Sequence, residues 1–184
     1  MLNIKKGNQV KIISGKEHDV AAIVIEPARG FESSPEYLKE LRELASEIGA
    51  VLVFDEITSG FRICAGGIHR RYDVKPDLAV FAKSMANGYP MAVVIGTENV
   101  MESCQETFIS STNWTERTGP SASIATIKKY LRLNVDKNII AKGNKVKKIW
   151  EESAKKYALP IEVSGLPSLA SFRFNSEKFS KKRD

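Results

Sequence analysis

Four short apolar runs, separated by polar segments, constrain the fold more than any other feature of this sequence. The first, Val20–Ile25, reads VAAIVI and shows no alternation of apolar and polar residues. Such continuous apolarity at strand length is typical of a strand covered on both faces. The same reasoning predicts strands at residues 51–54, at Leu78–Phe81 and at residues 91–95.

The segment SSPEYLKELRELASEIGA, residues 33–50, predicts an amphipathic helix between the first two strands. Ser33 and Glu36 have the spacing of a capping box, Pro35 suits the first turn and Gly49 suits the end. One apolar face is expected from Leu38, Leu41, Leu44, Ala45 and Ile48. Strand, helix and further short strands predict the α/β class, with a mostly parallel sheet and crossover helices.

The C-terminal half predicts two helices and a last strand. A polar loop, residues 110–119, precedes a helix that begins near residue 120 and runs to about residue 131. A longer helix is expected over residues 136–157. Residues 168–174 alternate like a strand, and the sequence shows no partner for it.

The distribution of charge argues against a nucleic-acid partner. The formal net charge is +6, but residues 1–127 carry 13 Lys and Arg against 16 Asp and Glu. Residues 128–184 carry 15 against 6, so the basic excess lies in the C-terminal third. There the lysines interleave with apolar residues at helical spacing, and no ladder of aromatic residues accompanies them. We interpret them as solvated helix faces rather than as a nucleic-acid surface.

Other bulk features predict a cytoplasmic protein without a membrane partner. No window approaches the roughly 18 uninterrupted apolar residues of a membrane span, and the N-terminal MLNIKKGNQVK lacks the apolar core of a signal peptide. The two cysteines, Cys64 and Cys104, belong to no CxxC or Cys/His cluster. We therefore expect neither a disulfide framework nor a metal site, and both thiols are interpreted as packing residues.

Polar residues follow the predicted strands at the points where these strands end. Glu26 follows the first strand, Asp55 and Glu56 follow the second, and Lys83 lies just past the third. Ligands of open α/β sheets gather at the carboxyl ends of the strands. A lysine in a partly buried site there would lose its proton more easily, as a nucleophilic or Schiff-base lysine requires. Asp55 would supply a negative charge able to stabilise a cationic ring nitrogen.

Each of these residues also has a simpler interpretation. Asp55 could be a turn former, since aspartate is common where strands end. Lys83 could be a solvated surface residue, or the two side chains could form a structural salt bridge. These alternatives remain open from the residues alone.

The order and spacing of these segments resemble a known family. The series VIEP, YLKELRELASEIGAVLVFDEITSGFR and YDVKPDLAVFAKSMANGYPMAVVIG is similar to the large domain of class III aminotransferases, pyridoxal-phosphate enzymes of fold type I. The resemblance covers residues 20–126, and GFRICAGG, residues 60–67, is most similar to glutamate-1-semialdehyde 2,1-aminomutases. It implies pyridoxal 5'-phosphate as cofactor, amino and keto compounds as substrates, and a homodimer. Whether the reaction is that of a transaminase or of an aminomutase stays open.

The resemblance also implies roles for individual residues. Asp55 would hold the protonated pyridine nitrogen, and Ile57 would pack on the ring face. Lys83 would form the Schiff base with the cofactor aldehyde and carry a proton between the substrate carbon and the cofactor carbon. A threonine from the partner subunit would bind the phosphate. In the loop SSTNWTERTGP, both Thr112 and Thr115 are candidates, and the preceding SST favours Thr112.

Other residues of the matching segment are interpreted as structural. Glu56 and Arg62 belong to the motif, and fixing the loop geometry is their expected role. His69 and Tyr72 have no metal or triad partners in their vicinity and are also expected to be structural. Trp114 could line a substrate or subunit contact, or could anchor the loop.

The family resemblance further implies that the chain is an internal fragment. Family members have an upstream phosphate-binding turn and a stacking aromatic residue, which residues 1–19 do not match. Residues 1–160 would be a partial cofactor-binding large domain that includes the long connecting helix, and residues 161–184 a truncated start of the small C-terminal domain. Arg173, in that start, is not assigned to carboxylate binding. Two functions remain open: amino-group transfer with the missing segments supplied, or a non-catalytic remnant that binds a partner.

Overall fold

The computed structural model of the chain describes residues 10–14, 20–113 and 115–175. The strands in these residues are β1 (Val10–Ser14), β2 (Val20–Ile25), β3 (Val51–Asp55), β4 (Leu78–Phe81), β5 (Val93–Gly96), β6 (Ile161–Ser164) and β7 (Ser171–Phe174). The α-helices are α1 (Pro35–Glu47), α2 (Ile68–Tyr72), α3 (Glu98–Glu102), α4 (Thr118–Leu133) and α5 (Val135–Lys156). Short 3-10 helices lie at Lys83–Met85, Ser103–Glu106 and Pro167–Leu169.

The first five strands form one sheet whose spatial order, β1-β2-β3-β4-β5, follows the chain. The three central strands run parallel, because α1 crosses over between β2 and β3, and the segment with α2 crosses over between β3 and β4. Both outer strands are antiparallel to their neighbours. The predicted α/β class with crossover helices is confirmed, and the parallel pairing is concentrated at the centre of the sheet.

The predicted strands agree with the structure to within a few residues. β2 and β4 have the predicted bounds, β3 extends one residue further to Asp55, and β5 begins later than predicted, at Val93. β1 was not predicted. Its sequence, VKIIS, is interrupted by Lys11 and ends in Ser14, so it lacks the continuous apolar run of the inner strands.

Helix α1 begins one residue later than the capping box predicts. Ser34, not Ser33, is the N-cap, and its Oγ accepts a hydrogen bond from the backbone N–H of Tyr37 at 3.2 Å. The reason is Pro35, which occupies the first helical position and so makes the residue before it the cap. Gly49 follows the helix with a φ of +68°, the left-handed conformation that suits a helix end.

The main hydrophobic core lies between α1 and one face of the sheet. Leu38, Leu41 and Ala45 are buried as predicted, Leu44 is partly buried against the same core, and Ile48 is exposed because the helix has ended. Burial alternates along the inner strands: Ile23, Ile25, Leu52 and Phe54 are buried, and the residues between them are partly exposed. One face of these strands is therefore buried and the other is only partly covered, so the expected coverage of both faces is confirmed in part.

The C-terminal helices and the last two strands pack mainly on one another. Helices α4 and α5 meet at Asn134, which is left-handed at φ +47°. β6 pairs antiparallel with β7, so the expectation of a last strand without a partner was wrong. β6 was missed because its four residues contain only two apolar side chains, Ile161 and Val163, too few to stand out from the loop around them. The hairpin packs on α5 through Trp150 and Phe172, whose ring centroids are 5.1 Å apart.

The lysines of α5 lie mostly in solvent, as predicted from their spacing, and none of the residues in this helix is fully buried. In the part of the chain that the structure describes, none of the helices combines the length and apolarity needed to cross a membrane.

Candidate active site

The carboxyl ends of β3 and β4 lie side by side. Asp55, the last residue of β3, is in register with Val80 of β4. The next residue, Glu56, continues the pairing, because its N–H donates to the carbonyl oxygen of Val80 at 2.9 Å. Lys83 follows two residues after the end of β4. The parallel pairing therefore brings the segment after Asp55 and the segment around Lys83 to the same edge of the sheet, as predicted.

Lys83 has an unusual backbone conformation. It is the first residue of a 3-10 helix and has a φ of +47°, in the left-handed region. That region is uncommon for a residue with a side chain, and holding one there costs on the order of 1 kcal/mol. Such conformations persist where the surrounding structure imposes them, and they cluster at functional sites.

The amine of Lys83 is oriented by a neighbouring hydroxyl. Its Nζ donates to Oγ1 of Thr58 at 3.0 Å. Within the described residues Lys83 forms no ion pair with Asp55, so the salt-bridge alternative is not realised here. The side chain is exposed in this chain, so the partly buried setting expected for it is not present among the described residues.

Asp55 is half-buried and takes part in the turn that follows it. Its Oδ1 accepts a hydrogen bond from the backbone N–H of Ile57 at 3.0 Å. The turn-forming interpretation therefore holds for one carboxylate oxygen. It does not conflict with a ligand role, because a carboxylate has further lone pairs for a second donor.

Glu56 is the fully buried carboxylate of this region, with 0% of its surface exposed. Its Oε2 accepts a hydrogen bond from Ser59 Oγ at 2.5 Å. Its Oε1 accepts from the backbone N–H of His69 at 3.3 Å and faces His69 Nδ1 at 3.1 Å. These contacts join the two ends of the loop between β3 and α2, which agrees with the loop-fixing role expected for Glu56 and the structural role expected for His69.

Two glycines of the GFRICAGG segment leave room for close contacts. A Cβ on Gly67 would lie 2.4 Å from Oε1 of Glu56 and 2.5 Å from Nδ1 of His69. A Cβ on Gly60 would lie 2.6 Å from the ring of Phe81 and 2.7 Å from the backbone oxygen of Glu56. The glycines of this motif therefore allow the loop to close around the buried carboxylate.

Cys64 and Tyr72 have structural roles near this loop. Cys64 Sγ donates to the carbonyl oxygen of Gly67 at 3.2 Å, and burial, followed by the charge of Glu56, raises the pKa of the thiol to about 11. Tyr72 donates its hydroxyl proton to Glu32, and burial together with this bond raises the pKa of the phenol to about 12. Both groups stay protonated at neutral pH, which agrees with the predicted packing and structural roles.

The proposed phosphate threonines lie in the loop before α4. Thr112 and Thr115 are exposed, and in the described part of the chain no hydrogen bond joins either of them to Asp55, Ile57 or Lys83. Trp114, interpreted as a contact or anchor residue, lies outside the described residues.

The start of α4 already binds a carboxylate of this chain. Oε1 of Glu116 accepts from the N–H of Thr118 at 2.6 Å, and Oε2 accepts from the N–H of Gly119 at 3.0 Å. These bonds, with the one to Gly119 contributing most, lower the pKa of Glu116. The amides that would favour a phosphate are thus occupied by Glu116, a contact that sequence reasoning missed because Glu116 follows both threonines in an irregular loop.

Comparison with known proteins places this arrangement in a family. The family profile described as Aminotransferase class-III matches residues 4–183. The 3-aminobutyryl-CoA aminotransferase of Cloacimonas acidaminovorans is 36% identical over 178 residues, which cover 91% of this chain and 42% of that protein. A glutamate-1-semialdehyde 2,1-aminomutase of Clostridium perfringens is 36% identical over 155 residues, or 80% of this chain and 36% of that protein. The chain thus spans about two fifths of the length of these relatives.

Solved structures agree with this assignment. A transaminase solved with PLP bound superposes with a TM-score of 0.76 at 25% identity, over 86% of this chain and 39% of that one. The profile matches nearly the whole chain, and the elements that carry Asp55 and Lys83 have the order expected from the resemblance. The chain belongs to the class III aminotransferase family.

Proposed function

We propose that this chain carries the lysine-bearing part of a site for amino-group transfer that depends on pyridoxal 5'-phosphate. The observation that carries the proposal is the position of Lys83, held left-handed and bonded to Thr58, at the sheet edge where β3 ends in Asp55. Family membership supports it, as does the similarity to a transaminase solved with PLP bound.

The residues at this edge fit one end of the cofactor. A carboxylate suits a protonated ring nitrogen, an apolar side chain such as Ile57 suits the ring face, and a primary amine suits an aldehyde. The other end is a weaker fit, because Glu116 occupies the amides at the start of α4. We still propose Thr112 and Thr115 as phosphate ligands. For either to bind a phosphate there, Glu116 would have to release the amides at the start of α4.

The chemistry expected of the chain's own residues follows from these positions. When bound, pyridoxal 5'-phosphate supplies an electron sink for charge that develops on the substrate carbon. The carboxylate of Asp55 would keep the proton on the ring nitrogen. Lys83 would hold the cofactor through its aldehyde group, and its neutral Nζ, when free, would be the group that accepts and returns a proton at the substrate carbon. Oγ1 of Thr58 would orient Nζ between these tasks.

The remaining parts of the site belong to segments that this chain does not span. Lys83 is exposed here, so we propose that further polypeptide covers it and completes the pocket. Residues 1–160 would then be part of the cofactor-binding large domain, and residues 161–184 the start of the small domain. We further propose amino and keto compounds as substrates, a homodimer in the cytoplasm, and either intermolecular transfer or an intramolecular aminomutase reaction.

Attachment of the cofactor to Lys83 tests the proposal directly. The purified chain is mixed with less than one equivalent of pyridoxal 5'-phosphate, reduced with borohydride and digested, and the modified lysine is identified by mass spectrometry. We expect modification at Lys83 to exceed that at any other lysine, and Lys83→Ala to remove the corresponding visible absorbance. The matched control is Lys142→Ala, an exposed lysine of α5, which should leave the modification pattern unchanged.

The opposite outcome would favour a second function. If Lys83→Ala and the unchanged chain gave the same absorbance and peptide pattern, the cofactor assignment would fail for this chain. A remnant that retains the fold and binds a partner would then be the better interpretation. The occupation of the α4 amides by Glu116 is the observation that favours this alternative.

A further inference from the structure

The orientation of the Lys83 amine depends on how firmly its surroundings are held. The side chain is exposed, and its Nζ donates to Oγ1 of Thr58 at 3.0 Å. A lysine side chain loses much rotamer freedom when it becomes ordered, and one hydrogen bond to a hydroxyl offsets only part of that loss. The bond can therefore orient the amine only if Thr58 and the backbone of Lys83 are already fixed.

Thr58 lies in a tight turn after β3 that is held at several points. The backbone N–H of Gly60 donates to the carbonyl oxygen of Glu56 at 2.7 Å, and the N–H of Glu56 donates to Val80 of β4 at 2.9 Å. Ser59, the residue after Thr58, donates its hydroxyl proton to Oε2 of Glu56 at 2.5 Å, and both of these residues are buried. The carboxylate of Glu56 thus holds the turn that carries Thr58.

The strand end that carries Lys83 is held by Phe81. This residue lies two positions before Lys83 and is only 4% exposed. Its ring lies against Gly60, where a Cβ would come within 2.6 Å of it. The ring of His69 meets it edge-on, with 6.2 Å between the two centroids. The turn after β3 and the end of β4 therefore pack on each other at one aromatic ring.

His69 connects these two supports. Its backbone N–H donates to Oε1 of Glu56 at 3.3 Å, and its Nδ1 lies 3.1 Å from the same oxygen. Because a carboxylate oxygen is an acceptor, the tautomer with its proton on Nδ1 fits this contact. The same imidazole ring packs on Phe81. One side chain thus holds both the carboxylate behind Thr58 and the ring beside Lys83.

We propose that Glu56 and His69 are positioning residues for the amine of Lys83. They act through their neighbours: Glu56 fixes the turn that carries the acceptor Thr58, and His69 fixes both Glu56 and the ring of Phe81. The use of a fixed amine for catalysis rests on the proposed amino-group transfer. The fixation itself is a property of this chain and is measurable without cofactor.

NMR order parameters of the lysine ε-carbons test this inference. The chain is labelled with ¹³C at the ε-position of lysine, relaxation is measured, and Lys83→Arg identifies the resonance of Lys83. We expect Lys83 to have a higher order parameter than Lys142, an exposed lysine of α5. Thr58→Val removes the acceptor and should lower the order parameter of Lys83 to that of Lys142.

Variants of His69 separate positioning from general stability. His69→Leu removes the donor to Glu56 and the aromatic contact, and it should lower the order parameter of Lys83 to the value in Thr58→Val. His69→Asn returns a side-chain N–H close to the position of Nδ1 and should restore most of the difference. Leu38→Ala, in the buried core under α1, lowers the stability of the chain and should leave the order parameter of Lys83 unchanged.

Three results would overturn the inference. They are equal order parameters for Lys83 and Lys142 in the unchanged chain, an unchanged value for Lys83 in His69→Leu, and a lowered value in Leu38→Ala. If His69→Leu does not fold, Ser59→Ala replaces it with the same expectation, because it removes only the hydroxyl bonded to Glu56. Failure of cofactor trapping at an ordered Lys83 would refute the proposed function alone.

Discussion

Nδ1 of His69 lies 3.1 Å from Oε1 of Glu56, a carboxylate with no exposed surface. The two residues stand at opposite ends of the loop that follows Asp55, and Ser59 bonds the other carboxylate oxygen from within the loop. The strand end that carries Asp55 is therefore held by its neighbour in sequence. The two adjacent carboxylates therefore differ in their surroundings. Asp55 lies at the end of β3, at the edge of the sheet, and Glu56 is buried in the interior.

Removal of the buried carboxylate should destabilise the chain strongly. Glu56→Ala leaves Ser59 and His69 without their acceptor, and breaking such a buried network costs about 3 kcal/mol in free energy of unfolding. Urea denaturation monitored by circular dichroism measures the change as a lower midpoint. Glu43→Ala, at an exposed position of α1, serves as the control and should shift the midpoint little. Equal midpoints for the two variants would contradict the burial of Glu56.

A methyl group at Gly67 should be poorly tolerated. The new Cβ would lie 2.4 Å from Glu56 Oε1, and relieving that overlap costs about 2 kcal/mol in free energy of unfolding. Gly30→Ala is the matched control, because nothing lies within 4 Å of its Cβ position. We expect Gly30→Ala to be neutral or slightly stabilising in the same urea experiment. An unchanged urea midpoint for Gly67→Ala would contradict the close contact between Gly67 and the carboxylate of Glu56.

Gly143→Ala provides a test in which local and tertiary effects have opposite signs. In a helix interior, alanine is more favourable than glycine by about 1 kcal/mol. At this position of α5, however, the Cβ would lie 1.8 Å from the carbonyl oxygen of Pro167. We expect a net loss of stability and a change in Trp150 fluorescence, because the hairpin that contacts Trp150 must shift. Lys145→Ala is the control at an exposed site of the same helix, and a stabilised Gly143→Ala would refute the contact.

Alkylation of Cys64 should depend on pH well into the alkaline range. The thiolate is the reactive form, and the raised pKa of about 11 means that it is scarce at pH 8. In a Cys104→Ala background, the rate of iodoacetamide labelling should rise about tenfold per pH unit until it approaches this pKa. Mass spectrometry follows the labelling, and the urea-unfolded chain provides the reference. A rate that levels off near pH 9 would be inconsistent with the buried environment.

Thr58→Val tests how Lys83 is oriented. The substitution preserves the shape of the side chain and removes the Oγ1 that accepts from Nζ at 3.0 Å. If Lys83 attaches the cofactor, we expect borohydride-trapped modification at this lysine to fall several-fold. Thr97→Val, at an exposed threonine whose side chain caps no helix amide, is the control. Unchanged trapping in Thr58→Val would remove Thr58 from the proposed site.

The parts of the fold that the sequence predicts are those governed by local pattern. Continuous apolarity identified β2 and β4 at their observed bounds, and helical periodicity identified the buried face of α1. β1 and β6 escaped prediction because short strands with polar residues lack that signal. Each of them is held by pairing with another strand, and local sequence pattern does not indicate which strands pair.

The candidate site divides in the same way. Strand ends predicted that Asp55 and Lys83 would reach one edge of the sheet, since parallel pairing alone determines this. The left-handed backbone of Lys83, its bond to Thr58 and the capture of the α4 amides by Glu116 are tertiary features. They arise from the packing of loops against one another, which cannot be predicted from residue spacing or composition.

The five strands of the sheet lie side by side in the same order as in the chain. This order affects how the sheet can form while the chain is being translated. From β1 to β5, each strand pairs with the one made just before it. A growing chain leaving the ribosome can therefore add strands to the sheet one at a time, with no gap left open for a later segment. Pairings between consecutive elements also keep loop closures short, which favours fast folding. The five-stranded sheet is suited to assembly while translation is still under way.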